Sequence, residues 1–402
     1  MWISDVRLVL PDGVVKCGAL RIEDGYIAEI RTAPITDATL HAPGLTVLPG
    51  LVDMHGDMLE REITPRPKAN LPIDLALHEL DKRLVATGIT TAYAAVSFAW
   101  HKDDSNRSEE KARRIMETVN ALRPELLADH LVHARFEITN PEAGGVLEDL
   151  LHRSQVHLVS IMDHTPGQGQ YRDIEAYIKF VIEWRKQTGQ VLSGDGNESS
   201  EAEVRASVIK AQERPKAWEA VYSVAAVAQA HGVPLASHDD DTVEKVALLA
   251  DLGIVFSEFP VTREAAAEAR RRGIHVAMGA PNALQGRSLS GNLSAADAVA
   301  EGLVDTLATD YYPAAMLHAA YTLVARGILP LHEAIKLVSQ HPADALGLDD
   351  RGQLAVGRLA DLVFVDERAL PRVHGVLRHG VPVYWDRFMA QLGVLNPSVR
   401  VG

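Results

Sequence analysis

The strongest constraint on the fold is an alternation. Through the middle of the chain, strand-like runs at residues 48–55, 89–95, 131–138, 156–163, 233–238, 254–259, 275–279 and 305–310 alternate with stretches of helical spacing. Those stretches include 75–87, 109–122, 174–188, 240–250, 263–272, 295–303 and 313–325. In 174–188, Ile174, Tyr177, Ile178, Val181 and Ile182 recur at helical spacing, and the long stretch 201–231 is interrupted by Pro215, which predicts two helices there. Parallel strands need crossover connections, so eight such units predict a (β/α)8 TIM-type barrel. A doubly wound open sheet reads the same strand by strand and stays open as the alternative.

Both ends of the chain read differently. Runs at 2–10, 14–22 and 26–30 are broken by Pro11-Asp12-Gly13 and Glu23-Asp24-Gly25, and Asp-Gly pairs predict hairpins. Further strands are predicted at 352–356, 360–365, 373–379 and 381–385. Neither set can bury its faces alone. This predicts one small β-sandwich domain from residues 1–47 and 350–402, with the barrel, 48–349, inserted between them.

The chain has 402 residues, 47% hydrophobic and 23% charged, enough for a large barrel and a satellite. Its formal net charge of −14 argues against nucleic acid or an anionic membrane surface as partner. A small phosphorylated substrate stays open, because bound metals and local arginines reverse the sign inside a pocket. No run approaches the ~18 apolar residues of a membrane span. The first residues lack a signal peptide's charged and apolar regions. The lone Cys17 allows no internal disulfide. A reducing, cytoplasmic setting is therefore expected, and a homodimer is left open.

Metal-capable side chains gather where the strand-like runs end. Val47-Leu48-Pro49-Gly50-Leu51-Val52-Asp53-Met54-His55-Gly56-Asp57 ends in an imidazole and a carboxylate at spacing i, i+2, which points both the same way on a strand. Later runs end in His133-Ala134-Arg135-Phe136-Glu137, Asp163-His164, His238-Asp239-Asp240-Asp241, Ser257-Glu258 and Thr309-Asp310. Each has a bland reading. His133 reads as a core or ion-pair histidine, His164 before Thr-Pro-Gly as a turn residue, and one of Asp239, Asp240 and Asp241 as the N-cap of the next helix. Jointly, His55, Asp57, Glu137, His164, His238 and Asp310 form a mixed N/O set suited to one or two divalent cations, zinc first and manganese second. Two metals ~3.5–4 Å apart need a bridging carboxylate, for which Glu137 is the candidate. Asp310 is the natural ligand and general base.

The terminal β-segments, the Pro-Gly-Leu-Val-Asp-Met-His stretch, the strand-end histidines and Asp310 resemble the amidohydrolase superfamily. So does His341-Pro342-Ala343-Asp344-Ala345-Leu346-Gly347-Leu348, running into Gly357-Arg358-Leu359-Ala360-Asp361-Leu362-Val363. Two departures stand out. The usual first motif is His-x-His, and here Asp57 takes the second place. The fourth run has no lysine between 156 and 163, so the carbamylated lysine of many members is absent. Where the sixth run usually ends in histidine it ends in Glu258, which reads as a contact to substrate hydroxyls or an ion-pair partner first, with substitution as a ligand left open.

Within the superfamily, six blocks resemble the PhnM branch, hydrolases of the carbon–phosphorus lyase pathway. They are Leu59-Glu60-Arg61-Glu62-Ile63-Thr64-Pro65-Arg66-Pro67, in which Glu62 is a local difference; Met162-Asp163-His164-Thr165-Pro166-Gly167-Gln168; Ser237-His238-Asp239-Asp240-Asp241-Thr242; Gly279-Ala280-Pro281-Asn282; Ser288-Leu289-Ser290-Gly291-Asn292; and Asp310-Tyr311-Tyr312-Pro313. The resemblance implies hydrolysis of α-D-ribose 1-methylphosphonate 5-triphosphate to the 5-phosphate and pyrophosphate. A divalent metal brings the pKa of bound water from about 15.7 toward about 7, which suits attack at phosphorus near neutral pH. Arg135, on the strand face of Glu137, and Arg66 in Thr-Pro-Arg-Pro are the expected phosphate clamps. Asn282, Ser288, Ser290 and Asn292, after the seventh run, are the expected polar substrate contacts, since barrels often bind phosphate there. Cyclic amide or imine hydrolysis, as in dihydroorotases, hydantoinases or deaminases, is the alternative on this scaffold; a catalytically silent barrel is a third.

Overall fold

The computed structural model describes residues 1–66, 69–98, 108–188, 197–286, 288 and 291–392. Strands β1 (Trp2–Leu10), β2 (Gly13–Glu23) and β3 (Tyr26–Arg31) follow one another as an antiparallel meander. At the second turn Asp24 and Gly25 take φ of 50° and 82°, the positive pair that a tight hairpin requires. The short β4 (Leu40–His41) and β5 (Thr46–Pro49) run parallel to β1.

One residue later the chain enters β6 (Leu51–Gly56), the first barrel strand. The run 48–55 is thus not one strand. It divides at Gly50, with its first part in the terminal sheet and its second in the barrel. Crowding explains the division. A Cβ on Gly50 would stand 2.2 Å from Thr90 Oγ1 and 2.9 Å from Asp361 Cβ, so the backbone passes between the two sheets only without a side chain.

β7 (Ile89–Phe98), β8 (Asp129–Glu137), β9 (Leu158–Met162), β10 (Leu235–His238), β11 (Phe256–Glu258), β12 (His275–Gly279) and β13 (Thr306–Ala308) then line up in chain order, each parallel to its neighbour. Helices intervene, among them Ile73–Ala86, Glu109–Leu122 and Trp218–Ala230. The expected break near Pro215 is real, separating Trp218–Ala230 from Asn197–Gln212. Inside the ring, Met54, Tyr93, Leu131, Leu158, Ala236, Phe256, Ala277 and Ala308 form an apolar layer with one residue from every strand, joined by Leu346 from the later His-Pro-Ala motif. That layer makes the sheet a packed (β/α)8 barrel rather than an open sheet. Its seam lies between β13 and β6. There Asp310 N donates to His55 O at 3.0 Å, Asp57 N donates to Asp310 O at 2.9 Å, and Thr309 N and Oγ1 donate to the buried Asp53 carboxylate at 3.0 and 2.6 Å.

β14 (Leu362–Asp366), β15 (Arg372–Arg378) and β16 (Val381–Trp385) return to the terminal sheet, whose order is β16-β15-β14-β5-β1-β2-β3. The strand expected at 352–356 does not form, because Gly352 and Gly357 both adopt φ of 85° and turn the chain at either end. Gly357 and Arg358 instead meet the β3 edge through Ile27 N to Arg358 O and Gly357 N to Ile27 O, both at 2.8 Å. The sheet therefore curls back over a core of its own, containing Ile3, Leu8, Leu20, Ile27, Phe364 and Leu377. Among the described residues no helix is long and apolar enough to cross a membrane.

Candidate metal centre and active site

Strand alternation carries the apolar interior layer directly into a polar one. Two residues beyond it stand His133 on β8, Ser160 on β9, His238 on β10 and Glu258 on β11, with Asp310 two past Ala308. On β6 a register irregularity between Asp53 and Gly56 breaks the alternation, and His55 enters the same space. The C-terminal ends of the barrel strands thus open into a cavity of about 800 Å³.

Glu258, fully buried, gathers the histidines at that end of the barrel. Its Oε2 lies 3.1 Å from His238 Nδ1 and 3.2 Å from His55 Nδ1, and accepts a hydrogen bond from Ser160 Oγ at 2.8 Å. Its Oε1 lies 3.5 Å from His133 Nε2. Burial alone would raise its pKa, but His133 and then His238 overrule burial and hold the carboxylate below its ordinary range. The histidines go the other way. Burial first, aided by the Arg135 charge, keeps His55 and His238 well below their usual pKa, and burial drives His133 down to about 3. Burial thus favours the neutral imidazole, the form that ligates a cation. Phe259 packs edge-on to His55 and His238, with centroids 4.8 and 5.4 Å away, and limits their rotation.

Whether these groups suit a metal is tested by their unmet polar atoms. His55 Nδ1, Asp57 Oδ1, both nitrogens of His133, Asp239 Oδ2 and Glu258 Oε1 are buried without a hydrogen-bond partner. Buried polar atoms normally find partners, and so many orphaned donors of imidazole and carboxylate type in one place fit a bound cation. Two sets bring ligand atoms within 4.8 Å of one another: His55, His238 and Glu258, and His164, His238 and Asp239.

The expected residues are brought together unevenly. His55, Asp57, Arg135, Glu137, His164, His238, Asn282, Ser288, Asn292 and Asp310 all line the cavity. Glu137 Oε2 lies 2.7 Å from His164 Nδ1, and its Oε1 accepts from His164 N at 3.2 Å. In this arrangement it orients His164 rather than bridging two ligand sets. Asn282 spends its amide on the backbone, donating to Leu293 O and accepting from Ala295 N, both at 3.0 Å. Arg135 donates to His238 Nε2 at 3.3 Å and stands 3.7 Å from Asp57. Arg66 forms a bridge with Ala69 and is absent from the cavity wall. Ser290 lies outside the described residues.

The N-cap expected among three acids falls elsewhere. None of Asp239, Asp240 and Asp241 caps the next helix; Thr242 does, accepting from Lys245 N at 3.1 Å. Asp239 instead belongs to the site, Asp240 receives Ser257 Oγ at 2.5 Å, and Asp241 receives Gly169 N at 2.8 Å. Glu258 makes the ion pairs expected of it, with His55, His133 and His238, and also stands in one of the two candidate ligand sets. Asp310 is pushed up to about 7 by burial and then by Asp57, against Arg135 and Arg61. Asp239, Phe259 and Asp310 have φ of 52°, 53° and 56°, a left-handed conformation costing about 1 kcal/mol each that aims strand ends into the cavity.

Comparison with known proteins agrees with this geometry. Residues 83–384 match the Amidohydrolase family. The chain is 36% identical, over 92% of its own length and 96% of the relative's, to the α-D-ribose 1-methylphosphonate 5-triphosphate diphosphatase of Escherichia coli K12. Among solved structures, N-acetyl-D-glucosamine-6-phosphate deacetylase from Mycobacterium smegmatis superposes with a TM-score of 0.62 at 18% identity, covering 95% of this chain and 99% of that one. Dihydropyrimidinase from Brevibacillus agri gives a TM-score of 0.58 at 16% identity, covering 96% and 95%. A barrel with histidines and carboxylates at its strand ends, a terminal sheet from both ends and a family match over most of its length together make this chain a member of the amidohydrolase family of hydrolases.

Proposed function

We propose that this enzyme is a metal-dependent diphosphatase. It would cleave α-D-ribose 1-methylphosphonate 5-triphosphate between the α and β phosphates, giving the 5-phosphate and pyrophosphate. The observation that carries the reading is the near-full-length match to a diphosphatase of that name. The cavity supports it, lined by His55, His164, His238 and Asp239 together with Arg61, Arg135 and Arg214, with Glu258 buried against His55 and His238. The lone, exposed Cys17 suits a reducing, cytoplasmic setting.

His238 is common to both ligand sets and, as a neutral imidazole, offers one lone pair, so it would help hold one divalent cation, either with His55 and Glu258 or with His164 and Asp239, zinc first and manganese next. Such a cation makes water nucleophilic near neutral pH and screens phosphate charge. Asp310, held at the barrel seam beside Asp57, accepts the proton of the attacking water. An oxygen–phosphorus bond forms at the α-phosphate, and the bond to the α,β-bridging oxygen breaks. Its electron pair departs with pyrophosphate. Arg135, fixed between Asp57 and His238, directs its guanidinium charge at the reacting phosphate. Glu137 keeps His164 turned inward.

The test is product analysis by ³¹P NMR on metal-loaded protein. Pyrophosphate and the 5-phosphate are expected. Orthophosphate would move the attack to the terminal phosphate. Inert triphosphate, with a dihydropyrimidine or hydantoin ring opened instead, would replace this reading with cyclic amide hydrolysis.

A further inference from the structure

Three arginines line the cavity, and they are not equivalent. Arg135 is buried and engaged with Asp57 and His238. Arg214 comes from the segment after the helix Asn197–Gln212. Arg61 lies on the helix Met58–Ile63, four residues past Asp57, and so one turn above it on the same face. Its neighbours in sequence are both acids, which makes a local ion pair the simple reading of Glu60-Arg61-Glu62. The fold removes both. Glu60 is buried, its Oε1 accepting from Ser97 N at 2.8 Å, and Glu62 pairs with Arg83. Among the described residues no carboxylate pairs with Arg61. Its guanidinium lies 5.7 Å from the centroid of the Tyr311 ring, the residue after Asp310, and Gln285 Nε2 lies 3.5 Å from that ring's hydroxyl. A cation–π contact of this kind steadies a guanidinium while leaving its in-plane N–H groups available to an anion.

The wall it faces is acidic. Asp57, Glu137, Asp239 and Asp310 line the same cavity, and a polyphosphate entering it meets their repulsion. Of the two ends of the proposed substrate, the polyphosphate end has the higher charge density. It gains most from a guanidinium that no carboxylate of the described residues holds in an ion pair. We infer that Arg61 grips the outer phosphates of the triphosphate and is a specificity-determining residue for a polyphosphate over a monophosphate, an inference that rests on the reaction proposed above. Arg66, the arginine expected from sequence in this loop, is not that residue.

The experiment is calorimetric titration of metal-loaded protein with pyrophosphate and, separately, with methylphosphonate, on wild type, R61Q, R61K and R66Q. Arg61→Gln is expected to weaken pyrophosphate binding by about tenfold or more, the worth of a charged hydrogen bond, and to leave methylphosphonate binding unaltered. Arg61→Lys, which keeps the charge, is expected to restore most of the affinity. In steady-state kinetics R61Q should raise KM by a similar factor with kcat within about threefold, as expected for a group that binds without reacting. Unchanged pyrophosphate affinity in R61Q overturns the assignment, and so does a loss confined to R66Q or shared equally by methylphosphonate. The titration needs no turnover. A failed assignment therefore shows in the titration and a failed reaction in the NMR spectrum, so the two are told apart.

Discussion

Glu258 touches three imidazoles and a serine hydroxyl while fully buried, a setting in which an isolated carboxyl would keep its proton. The surrounding histidines hold it ionised, ready to serve a cation. Glu258→Gln keeps the shape and removes the charge. We expect it to weaken metal affinity by about 10–100-fold, with activity falling alongside and the far-UV spectrum unchanged. Metal content equal to wild type after dialysis would return Glu258 to the ion-pair role suggested by sequence. Much of the site was legible because strand polarity sends residues beyond the interior layer toward the mouth. His238 and Asp310 follow from that rule, and His55 follows with the irregularity in β6. Asp239 does not, because three identical side chains before Thr242 look alike until the fold sends each to a different partner. Arg61 was hidden in the same way, between two acids that only tertiary structure draws off.

At the scale of elements, the type of each segment was legible and the boundaries less so. Periodicity located Glu109–Leu122 and the break near Pro215 because amphipathic helices expose their register in the pattern of apolar residues. The division at Gly50 left no such mark. β5 and β6 are each buried throughout, and strands buried on both faces read as one continuous apolar run. The strand expected at 352–356 failed because the turn-forming glycines at both ends bend the chain away from an extended run. Gly50→Ala tests the junction. The added methyl must displace Thr90 or Asp361, so a loss of about 1–3 kcal/mol is expected from the urea midpoint. An unaltered midpoint would mean that the two sheets separate there at little cost.

For the molecule as a whole, the barrel and the terminal sheet are fastened at a second place. Arg351 donates to Thr91 Oγ1 at 2.9 Å and to Asp129 Oδ2 at 2.8 Å, and Arg378 Nη1 donates to Leu126 O at 3.1 Å. Burial alone would raise the Asp129 pKa, but Arg123 and Arg351 hold it well below the carboxylate range. A carboxyl depressed on folding contributes stability above its unfolded value, near ~3.9, and loses it as pH falls toward the folded value. Arg351→Ala should therefore cost about 3 kcal/mol at neutral pH, and the gap from wild type should narrow as pH drops below about 4. Urea titrations at pH 7 and below 4 measure both. A gap independent of pH would remove Asp129 from the account. The order in which these parts are made has a consequence of its own. The seam joins Asp53 to Thr309, 256 residues apart, and β5 must still find β14 after that. At roughly 5–20 residues per second on a ribosome, the first ligand-bearing strand waits some tens of seconds for the partner that closes the ring. For that interval a nascent chain carries β6 with its apolar edge uncovered, and its yield in a cell will depend on how well chaperones shield it.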